Sequence, residues 1–187
     1  MNNDCLEVSE RNEKLLGKLA RMDISVQACF QCGRCSAGCP VGEFFDLPVM
    51  EVVRLAAYGQ EERLLASATI WLCAACETCA TRCPNGIEIA ALMDVLRSLA
   101  LKKGIAPAEP RVTALHQSFL DSIRHWGRAY EIGMIAGYKM RSGDLLSDMK
   151  LGVQMFSKGK LKLLPDRIKG RDEVRRIFAG QGKEYER

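Results

Sequence analysis

Two copies of one cysteine run constrain this chain more than any other feature in it. Cys29-Phe30-Gln31-Cys32-Gly33-Arg34-Cys35-Ser36-Ala37-Gly38-Cys39-Pro40 is echoed in register by Cys73-Ala74-Ala75-Cys76-Glu77-Thr78-Cys79-Ala80-Thr81-Arg82-Cys83-Pro84. This is the bacterial ferredoxin spacing for 4Fe-4S clusters. Three evenly stepped cysteines curl the backbone around one corner of a cubane, so that three thiolates reach three irons and loop N–H groups face its sulfides. In two-cluster proteins with this spacing, the fourth cysteine of each run ligates the cluster built by the other run. By that rule Cys29, Cys32, Cys35 and Cys83 hold one 4Fe-4S cluster, and Cys73, Cys76, Cys79 and Cys39 hold the second. Metal would then close the intervening chain at both ends, coupling cluster binding to folding.

Two other uses of the cysteines compete with this one. Structural zinc also takes four thiolates, but zinc sites pair two short knuckles instead of three evenly stepped cysteines and a displaced fourth. A disulfide scaffold calls for an export signal and dispersed cysteines. Here the N-terminal twenty residues alternate charge and Leu, and eight of the nine cysteines are clustered. Reduced cytoplasmic thiolates holding metal fit better. The chain is 48% apolar and 27% charged, a composition that folds. Its excess of 27 basic over 23 acidic residues is too weak to imply nucleic acid. The apolar stretch from Ile132 to Tyr138 is far shorter than the roughly 20 residues of a membrane span. The expectation is a soluble, cytoplasmic protein.

Helical periodicity dominates the rest of the chain. Leu6, Leu15, Leu16, Leu19 and Ala20 fall at helical spacing and predict an amphipathic helix from about Glu10 to Met22. Ile24-Ser25-Val26 alternates like a short extended segment. Each cysteine run leads to an apolar helix, Pro48 to Tyr58 ending at Gly59 and Ile87 to Lys103 ending at Gly104, with glycine as terminator. Glu61 to Ser67 reads as a further short helix. The link between the runs is therefore helical, which makes the module mainly α, unlike the small β-rich ferredoxins. Pro107 and Pro110 mark a boundary. A helix from about Val112 to Met140 follows, with Gly127, Gly133 and Gly137 as candidate interruptions. Beyond Arg141 the chain is basic and punctuated by glycine, with Lys158, Lys160, Lys162, Arg167, Lys169, Arg171, Arg175 and Arg176 among apolar residues, and reads as a docking tail. The expected organisation is a helix over 1–23, a two-cluster helical ferredoxin module over 24–104 and a helical, basic docking extension over 105–187.

Other candidate residues carry less. Cys5 lies outside both runs and reads as a spare thiol. His116 and His125 are too far apart to share a helix face as a ligand pair, and read as packing residues. Arg34 and Arg82 sit inside the runs, either favouring a reduced cluster by their charge or lying solvated on the loops. There is no G-x-G-x-x-G loop, no flavin fingerprint and no adjacent Cys-Cys pair. No catalytic residue is assigned, so substrate chemistry is expected on other chains.

The first run, the helical spacer, Trp71-Leu72-Cys73-Ala74-Ala75-Cys76-Glu77-Thr78-Cys79 and Arg82-Cys83-Pro84-Asn85-Gly86-Ile87-Glu88-Ile89 resemble the iron-sulfur C subunit of heterodisulfide reductase. The segment from His116 through Arg128-Ala129-Tyr130-Glu131 to Gly170-Arg171-Asp172-Glu173-Val174 is similar to that protein less specifically. The resemblance implies an α-helical ferredoxin fold bearing two 4Fe-4S clusters. It also implies an electron-transfer role between a flavin and iron-sulfur A subunit and a catalytic B subunit, which in methanogens reduces the coenzyme M-coenzyme B heterodisulfide. A hydrogenase or formate dehydrogenase would be reached through the larger complex. Two alternatives stay open: the iron-sulfur subunit of another modular oxidoreductase, of the bacterial disulfide or sulfur type or the glycolate, glycerol-3-phosphate or succinate dehydrogenase type, and a structural zinc-binding interaction module.

Overall fold

Positions of the helix-ending residues decide most of this architecture. The structure, a computed structural model, describes residues 13–143, 154, 155, 157, 158 and 168–184, and among them there is no β-strand. The chain divides into two compact units, residues 1–109 and 110–187.

In the first unit, α1 (Glu13–Arg21) buries Leu15 and Leu19 along one face. Its end is closed by a left-handed Asp23 (φ 58°), with Asp23 N–H donating to Ala20 O at 3.1 Å and Ile24 N–H to Leu19 O at 3.0 Å. That pair of bonds is a Schellman closure, a place glycine usually takes. The same closure ends α3 (Val49–Ala57) at Gly59, by bonds to Ala56 O and Leu55 O, and α7 (Ile89–Lys102) at Gly104, by bonds to Leu101 O and Ala100 O. Gly59 and Gly104 have φ of 67° and 65°, where a Cβ would be strained. Both glycine stops agree with the sequence.

Between α3 and α7 lie α4 (Glu61–Ala66) and α5 (Thr69–Leu72), while single helical turns, α2 (Arg34–Ala37) and α6 (Thr78–Thr81), form part of the cysteine runs. Helix α4 packs on both α3 and α7, α5 and α6 pack on α7, and α2 packs on α3 and α6. Val52, Leu55, Leu64, Ile70, Leu92 and Leu96 are fully buried in one continuous core. Lys103 caps this layer with an ion pair to Glu61 at 2.5 Å. The extended segment expected at Ile24–Val26 is instead the approach to a 3-10 turn, Val26–Ala28. Ile24 and Val26 are both 2% exposed, so their alternation reflects burial while the α1 closure sets the backbone.

In the second unit, α8 (Pro110–Trp126) and α9 (Glu131–Ser142) pack together, and α10 (Arg171–Glu184) packs on α8. The single helix expected over 112–140 is broken once, at Gly127 (φ 80°). Gly133 and Gly137 lie inside α9, where the Tyr130 ring and Ser118 come close to their missing Cβ positions. Arg141 ties α9 to α8 through Asp121 at 2.5 Å. No helix among the described residues is long and apolar enough to cross a membrane.

Candidate functional site

Each cysteine run takes the same backbone path. Cys32 is flanked by left-handed Gln31 (φ 55°) and Gly33 (φ 75°), and its counterpart Cys76 by left-handed Ala75 (φ 50°) and Glu77 (φ 60°). Alternating left-handed residues turn successive N–H groups to one side, the concavity that anions and iron-sulfur clusters use. For Gln31, Ala75 and Glu77, which have a Cβ, this costs roughly 1–2 kcal/mol apiece. The chain accepts that cost at matched positions in both loops, which marks the curl as functional.

All eight cysteines of the runs are free thiols, and they ring two cavities. The first is lined by Cys29, Cys32 and Cys35 from the first run and by Cys83 from the second. The second is lined by Cys73, Cys76 and Cys79 with Cys39 from the first run. Apolar side chains complete the walls: Met50, Val53 and Ile87 on the first, Phe45, Val49 and Met93 on the second. Ile89, 2% exposed, lines both. Six of the cysteines pack against the core, whereas Cys32 and Cys76, the second of each run, are exposed.

The matched donor sets of the cavities suit two bodies of one kind. A zinc ion needs four sulfurs about 2.3 Å from a common point. A cubane also presents sulfides, which the N–H groups of the left-handed loops can meet and a lone zinc ion cannot use.

The thiols are not electrostatically alike. Burial pushes Cys79 up to about 11 and also raises Cys35, against smaller opposing hydrogen bonds. Cys76 is lowered, chiefly by the Thr78 hydroxyl, whose Oγ1 lies 3.4 Å from its Sγ. Ligation requires thiolates, so metal uptake must expel protons from this half-buried pair.

Three side chains that sequence reasoning passed over hold the runs in place. Asn85 donates from Nδ2 to Ala28 O, just before the first run. Arg97, on α7, donates from Nε to Ile70 O and from Nη2 to Cys73 O. Asp46 accepts from the N–H groups of Leu47, Ala68 and Thr69, each at 2.9 Å, and from the Thr69 hydroxyl at 2.7 Å, which fixes the start of α5 just ahead of Cys73. Burial would raise this carboxyl, but the four donors outweigh it and hold it below its ordinary value. Asp46→Ala should therefore destabilise the reconstituted protein by about 1–2 kcal/mol, the scale of a lost helix cap. Anaerobic equilibrium denaturation measures this, and an unchanged midpoint would remove Asp46 from the scaffold. All of these bonds except Leu47 N–H to Asp46 join residues more than twenty positions apart, and the available signals were a lone acid before Leu-Pro and a cation on an apolar helix.

Among the other sequence candidates, Arg34 lines the first cavity, and Arg82 lies against Gly38, where a Cβ would collide with its guanidinium. His116 is exposed, and His125 Nδ1 meets the Asp121 carbonyl of its own helix at 2.8 Å; neither lines a cavity. Cys5, Lys160, Lys162 and Arg167 lie outside the described residues.

Helices without strands among the described residues, and two cavities of four thiols each, suit an iron-sulfur module of ferredoxin-like type, and residues 25–87 match the family described as 4Fe-4S dicluster domain. The chain resembles the iron-sulfur C subunit of heterodisulfide reductases, as its cysteine runs implied. It is 36% identical over 92 residues to the iron-sulfur C subunit of the CoB–CoM heterodisulfide reductase of Methanopyrus kandleri, covering 49% of this chain and 48% of that protein. It is likewise 36% identical over 110 residues to a C subunit of the same enzyme from Methanocaldococcus jannaschii, covering 58% and 56% of the two chains. The C subunit of the ferredoxin:CoB-CoM heterodisulfide reductase of Methanosarcina mazei is 36% identical over 105 residues, 56% of this chain and 65% of its own. The chain spans about half the length of the first of these relatives.

Proposed function

We propose that this chain is the electron-transfer subunit of a heterodisulfide-reductase-type complex and holds two 4Fe-4S clusters. Cys29, Cys32, Cys35 and Cys83 ligate one, and Cys73, Cys76, Cys79 and Cys39 the other. The observation that carries the reading is the exchange of the fourth thiol between two matched cavities. When bound, such clusters take up and release single electrons. The chain's own residues supply a dry partition through Ile89, apolar walls through Val49, Val53 and Met93, and exposed mouths at Cys32 and Cys76. The thiolates call for a reducing compartment, and the cytoplasm is the one proposed.

The partners proposed are a flavin-containing iron-sulfur subunit as electron source and a catalytic disulfide-reducing subunit as acceptor, by analogy with the named relatives. In this reading residues 24–104 form the cluster module, the helix before it covers the module, and residues 105–187 dock onto partner chains. Leu115, Phe119 and Leu120 on α8 and Met140 on α9, 42%, 42%, 50% and 79% exposed, support a docking role. Anaerobic purification from the native organism, with mass spectrometry of bound chains and electron paramagnetic resonance after dithionite, tests the whole proposal. Copurifying flavin and catalytic subunits with a reducible iron-sulfur signal are expected. A colourless zinc protein, or an iron-loaded chain with no partners, would overturn the cluster or the complex assignment respectively.

A further inference from the structure

The two cavities match in thiol count, but the side chains that anchor the runs differ in charge. At the first run the anchor is a neutral amide, Asn85 to Ala28 O. At the second it is the Arg97 guanidinium, which grips the carbonyl of a cavity-lining cysteine, Cys73, together with Ile70 O. Arg97 is one helical turn beyond Met93, which lines the second cavity. On α3 the position one turn beyond Val53, which lines the first, is Ala57. Nothing at that position on α3 can do what Arg97 does.

The Arg97 side chain is 15% exposed, and its carboxylate partner, Asp94 at 2.8 Å, is 64% exposed. A cation so placed is screened far less than its partner, since the interaction of two charges scales inversely with the local dielectric. Arg97 stands behind the wall of the second cavity; the charges that line the cavities themselves are Arg34 on the first and Glu77 on the second, and both are exposed. They act in the opposite sense to Arg97, but from solvent.

We infer that Arg97 is a positioning residue of the second site that also raises the reduction potential there, giving the pair of sites a polarity. This rests on the two-cluster reading above. Reduction adds one electron, and so one negative charge, to a cluster, with no bond made or broken. A fixed cation at the Cys73 carbonyl favours that state, and the bidentate grip holds the first thiol of the run against the core.

The test is a mediated redox titration, with dithionite as reductant, of anaerobically reconstituted full-length protein followed by electron paramagnetic resonance. Cys76→Ser identifies the second-site wave. Arg97→Gln should shift that wave to lower potential and leave the first-site wave in place. Arg97→Lys should shift it less, because the charge stays while the fork is lost. Asp94→Asn, an exposed substitution that does not threaten folding, should shift it upward by removing the counter-charge. If Arg97→Gln fails to assemble, the Asp94→Asn and Arg97→Lys titrations decide. Stationary second-site waves in variants with full iron content, or equal movement of both waves, would overturn the inference alone. Wild-type protein that takes up no iron or sulfide would instead overturn the two-cluster reading.

Discussion

Cys83→Ala is expected to empty the first cavity and leave the second loaded, cutting bound iron from about eight atoms per chain to about four. The substituted residue belongs to the second run in sequence, so a simple reading of the repeat would predict loss at the wrong site. It lines the cavity formed by Cys29, Cys32 and Cys35. Cys39→Ala should do the reverse, because Cys39 lines the cavity of the second run. Residues acting as one unit are non-additive. The double variant Cys32→Ala, Cys83→Ala should therefore retain as much iron as either single one, whereas Cys76→Ala, Cys83→Ala should lose nearly all of it. Iron and acid-labile sulfide analysis distinguishes these results. Iron loss that followed the runs, with Cys83 and Cys76 behaving as one unit, would refute the exchanged ligation.

Removing iron from the intact protein should unfold the cysteine-bearing unit cooperatively instead of merely bleaching it. Structural zinc binding by finger peptides, a comparable coupling of metal to folding, is worth on the order of 10–16 kcal/mol, which matches or exceeds the roughly 5–15 kcal/mol net stability of a whole domain. Without metal the unit retains the left-handed strain at Gln31, Ala75 and Glu77, two emptied cavities, and six inward cysteines with nothing to bind. A chelator under anaerobic conditions should abolish amide-exchange protection in α3, α4 and α7 together with the visible absorption. Helices that stayed protected after complete iron loss would show that the apolar core alone suffices and would sever the proposed link between assembly and folding.

The cysteine positions and the glycine stops of α3 and α7 were legible because both are local chemical signals: fixed spacing in one case, a residue tolerant of positive φ in the other. Asp23 was not, since an aspartate in a glycine place has no pattern around it and is fixed by the bonds of the α1 closure. Ile24 and Val26 misled for a related reason, as two buried residues around an exposed one resemble a strand whenever the backbone is unknown. Arg97 and Asp46 stayed hidden because their work is done across long stretches of chain. A charged residue on an apolar helix tells a reader that something must meet it, but not which carbonyl does.

Ile89 carries a lesson for anyone who would transplant half of this unit. A side chain that walls two chambers has no single owner, so lifting out one chamber leaves a hole where its neighbour stood, besides a missing sulfur. A minimal one-chamber version would need a new plug at that opening and a borrowed thiol. Duplication here has made the halves inseparable, and change in either must suit both.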